Sequence, residues 1–512
     1  MLSSPHTSII ARDRDHLEQL IKEAIEKDGP NCDLNFIDVS NITDMSGLFS
    51  RFSFFNNEFH KFNGDISKWD VSNVKRMDGM FFESVFKGDI SKWNVSNVQD
   101  MHSMFIESLF NGDISNWNVS NVKDMHSMFA ESQFNGDISK WNVSNVEYMY
   151  SMFCNSPFNG DISKWNVSKV KNMNSMFAGS KFNGDISNWD VSHVKDMNGM
   201  FKCSEFKGDI SKWETERLLD LHGMFRDSEF EKTGKAKNWL NKIYPLMIEN
   251  STDFDGHVTA LNREHLLNLI EASMWLHGPN CDLNFIDTSN VTVMDELFYG
   301  SPFNGDISNW DVSNVKLMPG MFFGTPFNGD LSNWDVSHVK DMSYMFANSQ
   351  FNGDISKWEI ERLLDLHGMF QDSQFEKTGK AKNWLNKIYP LMLENATDFD
   401  GNVIALNREH LLNLIDAAMW LHGPNCDLNF INTSNVTMMH ELFRDSPFNG
   451  DISKWDVSNV KDMSEMFSGS HFTGNICNWN VSKVECMYEM FYDSALEKNG
   501  KIPKWYKETL DF

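Results

Sequence analysis

Tryptophan returns at a fixed interval in this chain. Trp69, Trp93, Trp117, Trp141, Trp165, Trp189 and Trp213 are each 24 residues apart, and the series resumes at Trp310, Trp334 and Trp358, then at Trp455 and Trp479. An internal period of this length decides fold class before any local signal does. Ile37, Ile286 and Ile431 stand in the tryptophan position in a unit that opens each series. A 24-residue unit cannot bury its apolar residues alone, so identical units must stack.

The text of a unit, FNGDISKWDVSNVKDMSEMF at residues 448–467, reads in two halves. Phe-Asn-Gly-Asp reads as a turn, with glycine supplying unusual backbone angles and Asn or Asp bonding locally. Ile-Ser-x-Trp-x-Val reads as a short strand. Ser-Asn then reads as a helix cap, as at Asn97, followed by an apolar stripe at Val98, Met101, Met104 and Phe105. Strand, turn and helix at this period predict an α/β solenoid. The expected form is a leucine-rich-repeat-like right-handed superhelix with helical caps.

The brackets around each series define modules. RDRDHLEQLIKEAIEKDGPN places Leu17, Leu20, Ile21, Ala24 and Ile25 on one helical face, with Asp13 or Asp15 to cap it and Gly29-Pro30 to end it. Similar helices begin at Asn262 and Asn407. A tryptophan-bearing segment closes each series, with Gly234 and Trp239, Gly379 and Trp384, and Gly500 and Trp505 at matched spacing. Stacked repeats need covered ends, so these brackets read as caps. The expected organisation is a tail at 1–11 and modules at 12–255, 256–400 and 401–512, with seven, three and two tryptophan units. The junctions STDFDGHVTA and ATDFDGNVIA are not linker-like. Residues 216–261 recur almost unchanged at 361–406, the mark of an internal duplication.

WDVSNVKRMDGMF from Trp69 and WNVSNVQDMHSMF from Trp93 carry a resemblance to the BspA-like leucine-rich-repeat surface proteins, known also as the DUF285 bacterial surface repeat family. The resemblance covers most of the chain apart from the caps. It implies a bacterial leucine-rich-repeat solenoid, often at the cell surface, with roles in adhesion or host-protein binding. It supplies no catalytic residues.

Composition narrows the partners. Seventy-two acidic against 45 basic residues give a net charge of −27. Such a surface repels phosphate backbones and anionic lipid, so no nucleic-acid partner is expected. No apolar run approaches the ~20 residues of a membrane helix, so no membrane insertion is expected. The N-terminus shows neither a signal-peptide pattern nor a lipid-anchor cysteine. The expectation is a cytoplasmic address by default, with a surface or secreted one as the alternative that the resemblance implies. Seven cysteines make no disulfide framework, and Cys32, Cys281 and Cys426, all in GPNCDLNFI, read as small buried groups.

Chemistry is sparse. The Asp65, Asp89, Asp113 column could bridge calcium between coils, but each carboxylate is better explained by bonds within its own turn. The tryptophan and phenylalanine columns suit a core better than a sugar platform. His440-Glu441 lacks the second histidine of a zinc-protease helix, and there is no phosphate loop or nucleophile elbow. His102, His126 and His222 occupy repeat positions without a consistent acid partner. No enzyme, no cofactor and no metal are expected. The rhythm breaks once, between Ile37 and Trp69, where RFSFFNNEFHKF is inserted. Phe54, Phe55, Phe59 and His60 in that insertion are the candidate binding residues, either as a recognition loop or as a packed lid. The reading is a non-enzymatic scaffold for a protein partner or, second, a glycan. Its alternative is a structural or calcium-stabilised repeat without a specific partner.

Overall fold

In a computed structural model of the chain, the residues described are 8–51, 59–253, 258–360, 362–398 and 403–506. They form two compact units: 1–252 with 267–272, and 253–266 with 273–512. Both are built of 24-residue coils in register. The local conformation within a coil differs from the expected strand-turn-helix. Among the described residues no α-helix and no regular strand lies inside a tryptophan unit. Tight turns closed by three-residue hydrogen bonds follow one another instead, as in Trp93 N–H to Ile90 O at 3.2 Å, Val98 to Val95 at 3.0 Å and Ser108 to Phe105 at 3.2 Å.

The parallel ladder runs through the half expected to be helical. Arg76, Asp100, Asp124, Tyr148, Asn172, Asp196 and Asp220 bridge in parallel from coil to coil. The N–H groups of Met101, Ser103, Phe105 and Glu107 donate to Asp124, His126, Met128 and Ala130 at 2.8–3.1 Å. Backbone donors that a helix would use at i−4 are spent on the neighbouring coil, so no helix can form here. The Asn97 side chain donates to the Ser72 carbonyl of the previous coil at 2.7 Å rather than capping a helix, and Asn121 and Asn145 repeat the contact.

Inside, the sequence columns become stacks. Phe81, Phe105 and Phe129 lie 5.5–5.7 Å apart within 3° of parallel, and Phe86 stacks on Phe110 at 6.3 Å. In the tryptophan units each buried indole keeps a partner for its N–H: Trp93 donates to Ile66, Trp117 to Ile90 and Trp141 to Ile114 at 3.0–3.1 Å, always the coil before. Burying an aromatic ring with its polar atom satisfied gives the apolar gain without an orphan donor. The sugar-platform alternative fails on burial, since the tryptophans of the units are at most 6% exposed.

Glycine in Phe-Asn-Gly-Asp acts through space rather than backbone angle. None of these glycines has a left-handed φ. A methyl on Gly112 would lie 2.8 Å from the ring of Phe110, and on Gly305 it would overlap the Cys281 carbonyl. That carbonyl accepts the Asp306 N–H at 3.2 Å, which draws the two backbones together. Cys32, Cys281 and Cys426 are buried as read, and burial pushes their thiols up.

The caps are helical. In the first unit, strand β1 (Ile9–Ile10) pairs in parallel with β2 (Ile37–Asp38), so part of the expected tail is ordered ladder. Between them lies α1 (Arg14–Asp28), capped by Asp13 accepting from the His16 N–H and ended by Gly29 at φ 82°. Helices α2 (Glu229–Lys232) and α3 (Lys235–Asn250) follow the seventh tryptophan. The same plan recurs with β3 (Val258–Thr259), α4 (Arg263–His277), β4 (Ile286–Asp287), α5 (Gln374–Lys377) and α6 (Lys380–Asn395). It recurs again with β5 (Val403–Ile404), α7 (Arg408–His422), β6 (Ile431–Asn432) and α8 (Ala495–Lys498).

One asparagine ends the ladder at each internal cap. In the first unit Asn268 takes the Leu221 N–H at 3.0 Å and donates to Asp220 at 2.9 Å. In the second, Asn413 takes the Leu366 N–H at 3.0 Å and donates to Asp365 at 2.8 Å. A side-chain amide carries the same donor and acceptor as a peptide, so it stands in for the next coil. Both junction segments, 254–257 and 399–402, fall outside the described residues.

Candidate functional site

The unit text is nearly constant where side chains point inward and varied where they point out along the ladder. Val98, Met101, Met104 and Phe105 are fully buried, as are their equivalents two coils on. The intervening positions change from coil to coil. Arg76, Asp100, Asp124, Tyr148 and Asn172 form one such row, and Asp78, His102, His126, Tyr150 and Asn174 form the row two residues later. These residues are half-buried or exposed. By contrast the pair before each unit tryptophan, Ser-Lys or Ser-Asn except for Cys477-Asn478, is a repeated turn.

Local bonding fixes how the varied face is presented. Asp100 Oδ1 accepts the His102 backbone N–H at 3.2 Å and meets its Nδ1 at 2.7 Å. Asp124 does the same for His126 at 3.0 and 2.8 Å. His102 stacks on His126 with centroids 4.4 Å apart, and His126 stacks on Tyr150 at 4.2 Å. The Asp100 hydrogen bond raises the His102 imidazole above its ordinary value. His222 meets Glu271 at 2.5 Å, and that bond raises it likewise. The histidines therefore do have acid partners. The missed signal is Asp-x-His within one unit at 100–102 and 124–126, whereas the ring partners of His222 and His367 are Glu271 and Asp416, 49 residues on.

In the second unit the same face opens into a cavity of about 650 Å³ lined by Tyr344, His367, Arg408, Asp416, Glu441 and Arg444 among others. Arg444 is held at 2.6 Å by both Glu441 and Glu465.

The insertion behaves differently from a presented loop where it is described. Phe59 lies in a 3-10 turn, Phe59–Lys61, with its ring fully buried and closed to a partner. His60 is half-buried, and its carbonyl accepts the Val85 N–H at 3.0 Å, tying the insertion to the next coil. Phe54 and Phe55 lie outside the described residues.

The aspartate column is committed to its turns. Asp89, Asp113 and Asp137 each accept the serine N–H two residues on at 2.9 Å. Those bonds hold the carboxyls below the usual range. Among the described residues, no helix is long and apolar enough to cross a membrane.

No curated protein and no solved structure matches the chain. A family model described as "Mycoplasma protein of unknown function, DUF285" matches residues 16–133, 54–157, 82–178, 131–239, 268–384 and 416–511. Those segments cover well over half of the sequence and span the coils of both units, so the chain belongs to the DUF285 family of repeat proteins, whose function is unknown.

Proposed function

We propose that the chain is a non-enzymatic interaction scaffold whose stacked coils form a right-handed solenoid and whose ladder face binds a protein partner. Parallel bridging between successive coils supports that hand, by analogy with parallel strand crossovers. The observation that carries the function is the division of the repeat. Buried positions are held constant between coils, while outward positions on the ladder run through Arg, Asp, Tyr, Asn and His. A surface that served packing alone would have no use for that variety, and recognition needs it. Residue variety within a rigid array gives an extended, individually tailored contact row. An adhesive role at the cell surface, which the BspA-like resemblance implies, belongs to the same proposal. A calcium-stabilised repeat has less support, because the aspartate carboxylates already accept N–H bonds in their own turns.

Photo-crosslinking tests the face. A photoreactive residue at Tyr148, on the ladder, should yield a discrete adduct in the native extract. The same group at Lys164, on the turn side, should not. Equal adducts at both positions, or none at either, would overturn the assignment.

A further inference from the structure

We propose that the ladder row of the first unit binds a divalent transition-metal cation, with Zn²⁺ as the test ion, through His102, His126 and Asp124. One ligand atom from each of these three residues lies within 4.8 Å of the other two, and Asp78, Asp100 and His102 satisfy the same condition on the preceding coil. Two imidazoles and a carboxylate are borderline-soft donors of the kind zinc takes, with water to complete a tetrahedral shell.

Three observations support it beyond proximity. First, Asp100, itself outside the ligand set, holds the Nδ1 atom of His102 at 2.7 Å. A carboxylate on Nδ1 fixes the tautomer that leaves Nε2 as a lone-pair donor, the outer-shell arrangement of metal-binding histidines. Second, the charge is unbalanced. Arg76 pairs with Asp78 at 3.0 Å, whereas Asp100 and Asp124 have as ion-pair partners, among the described residues, only His102 and His126. Third, the side chains are half-buried on a backbone fixed by coil-to-coil hydrogen bonds, so the donors are accessible and pre-positioned. The arrangement differs from the aspartate column in adding two imidazoles to carboxylates that likewise accept the N–H two residues on. An ion here would join the second and third tryptophan coils across the very row proposed for partner contact, yet it stands on geometry independent of that proposal.

The test is calorimetric titration of the full, tag-free, chelator-treated chain with ZnCl₂, with Co²⁺ absorption as a second readout. The expected result is about one tight site per chain with a tetrahedral Co²⁺ spectrum. The His102→Asn/His126→Asn variant should bind at least tenfold more weakly, while His222→Asn binds as the parent does. Circular dichroism checks that the double variant folds. If it does not, Asp124→Asn is read in its place, with the same loss expected. Absence of saturable binding in the parent, or undiminished binding in the folded variant, would overturn the proposal.

Discussion

Two glycines of the second unit show how differently one residue type can be constrained. Gly324 sits at φ 67° with open space around it, so alanine there meets backbone strain alone, about 1 kcal/mol. Gly305 has an ordinary φ, but its Cα faces the Cys281 carbonyl and the Phe303 ring. A methyl has nowhere to go, and the backbone it strikes is held by a hydrogen bond. Gly305→Ala is expected to cost about 3 kcal/mol or more, the upper range of overpacking. Urea denaturation of the two variants compares them directly; equal losses would refute the close-approach account. The period named this glycine as special, but for the wrong reason. Asn-Gly-Asp is equally a signature of turns that need φ above zero, and only the neighbouring coil reveals which constraint acts.

At the scale of elements, the caps were legible and the coil conformation was not. N-cap residues, helix length and the closing Gly-Pro marked α1, α4 and α7, because those helices satisfy their own hydrogen bonds and so obey local rules. The apolar stripe at Val98, Met101, Met104 and Phe105 has helical spacing too, yet linked three-residue turns return a side chain to the inside at nearly the same interval. What separates the two is the destination of the N–H groups, 23 residues further along the chain, which no short window contains. Of the aromatic insertion, Phe59 is core, which agrees with the packed-lid alternative, while Phe54 and Phe55 lie outside the described residues. The acid partners of His102 and His126 lay two residues away in plain sight.

The junction of the last coil with α4 in the first unit is expected to respond to pH. His222 is raised by its hydrogen bond to Glu271, then by the charges of Glu271 and Asp220, with burial and Arg226 opposing. A histidine raised on folding contributes its stability fully below its unfolded value, about 6.5, and loses it as pH climbs through the folded value. Melting temperature of the first unit should therefore fall between about pH 6 and pH 8. His222→Gln should flatten that fall. A variant with the parent's slope would show that the pair contributes nothing.

For the molecule as a whole, quasi-one-dimensional contacts make length negotiable and phase strict. Removing residues 142–165 deletes one complete coil and rejoins Trp141 to Asn166, restoring every column. That variant is expected to fold cooperatively with a modestly lower melting temperature, since stability in such arrays is nearly a sum over neighbours. Removing 142–153 breaks the phase, sets inward methionines against outward polar rows, and should give aggregated protein. Size-exclusion chromatography with thermal circular dichroism separates the outcomes; a folded half-coil deletion would contradict the stacked register.

The asparagine that closes a ladder belongs to the helix that begins the next series. A module therefore terminates itself only in part, as where Trp384 of α6 donates to Ile355 and Trp505 to Ile476; the asparagine stop on the ladder is carried by the module that follows. Copying a stretch of chain from one such helix to the next inserts new coils already equipped to seal the old ones. The near-identical text at 216–261 and 361–406 is what such copying leaves behind, and it explains how a chain of this kind can lengthen in a single genetic event without ever exposing an unpaired edge.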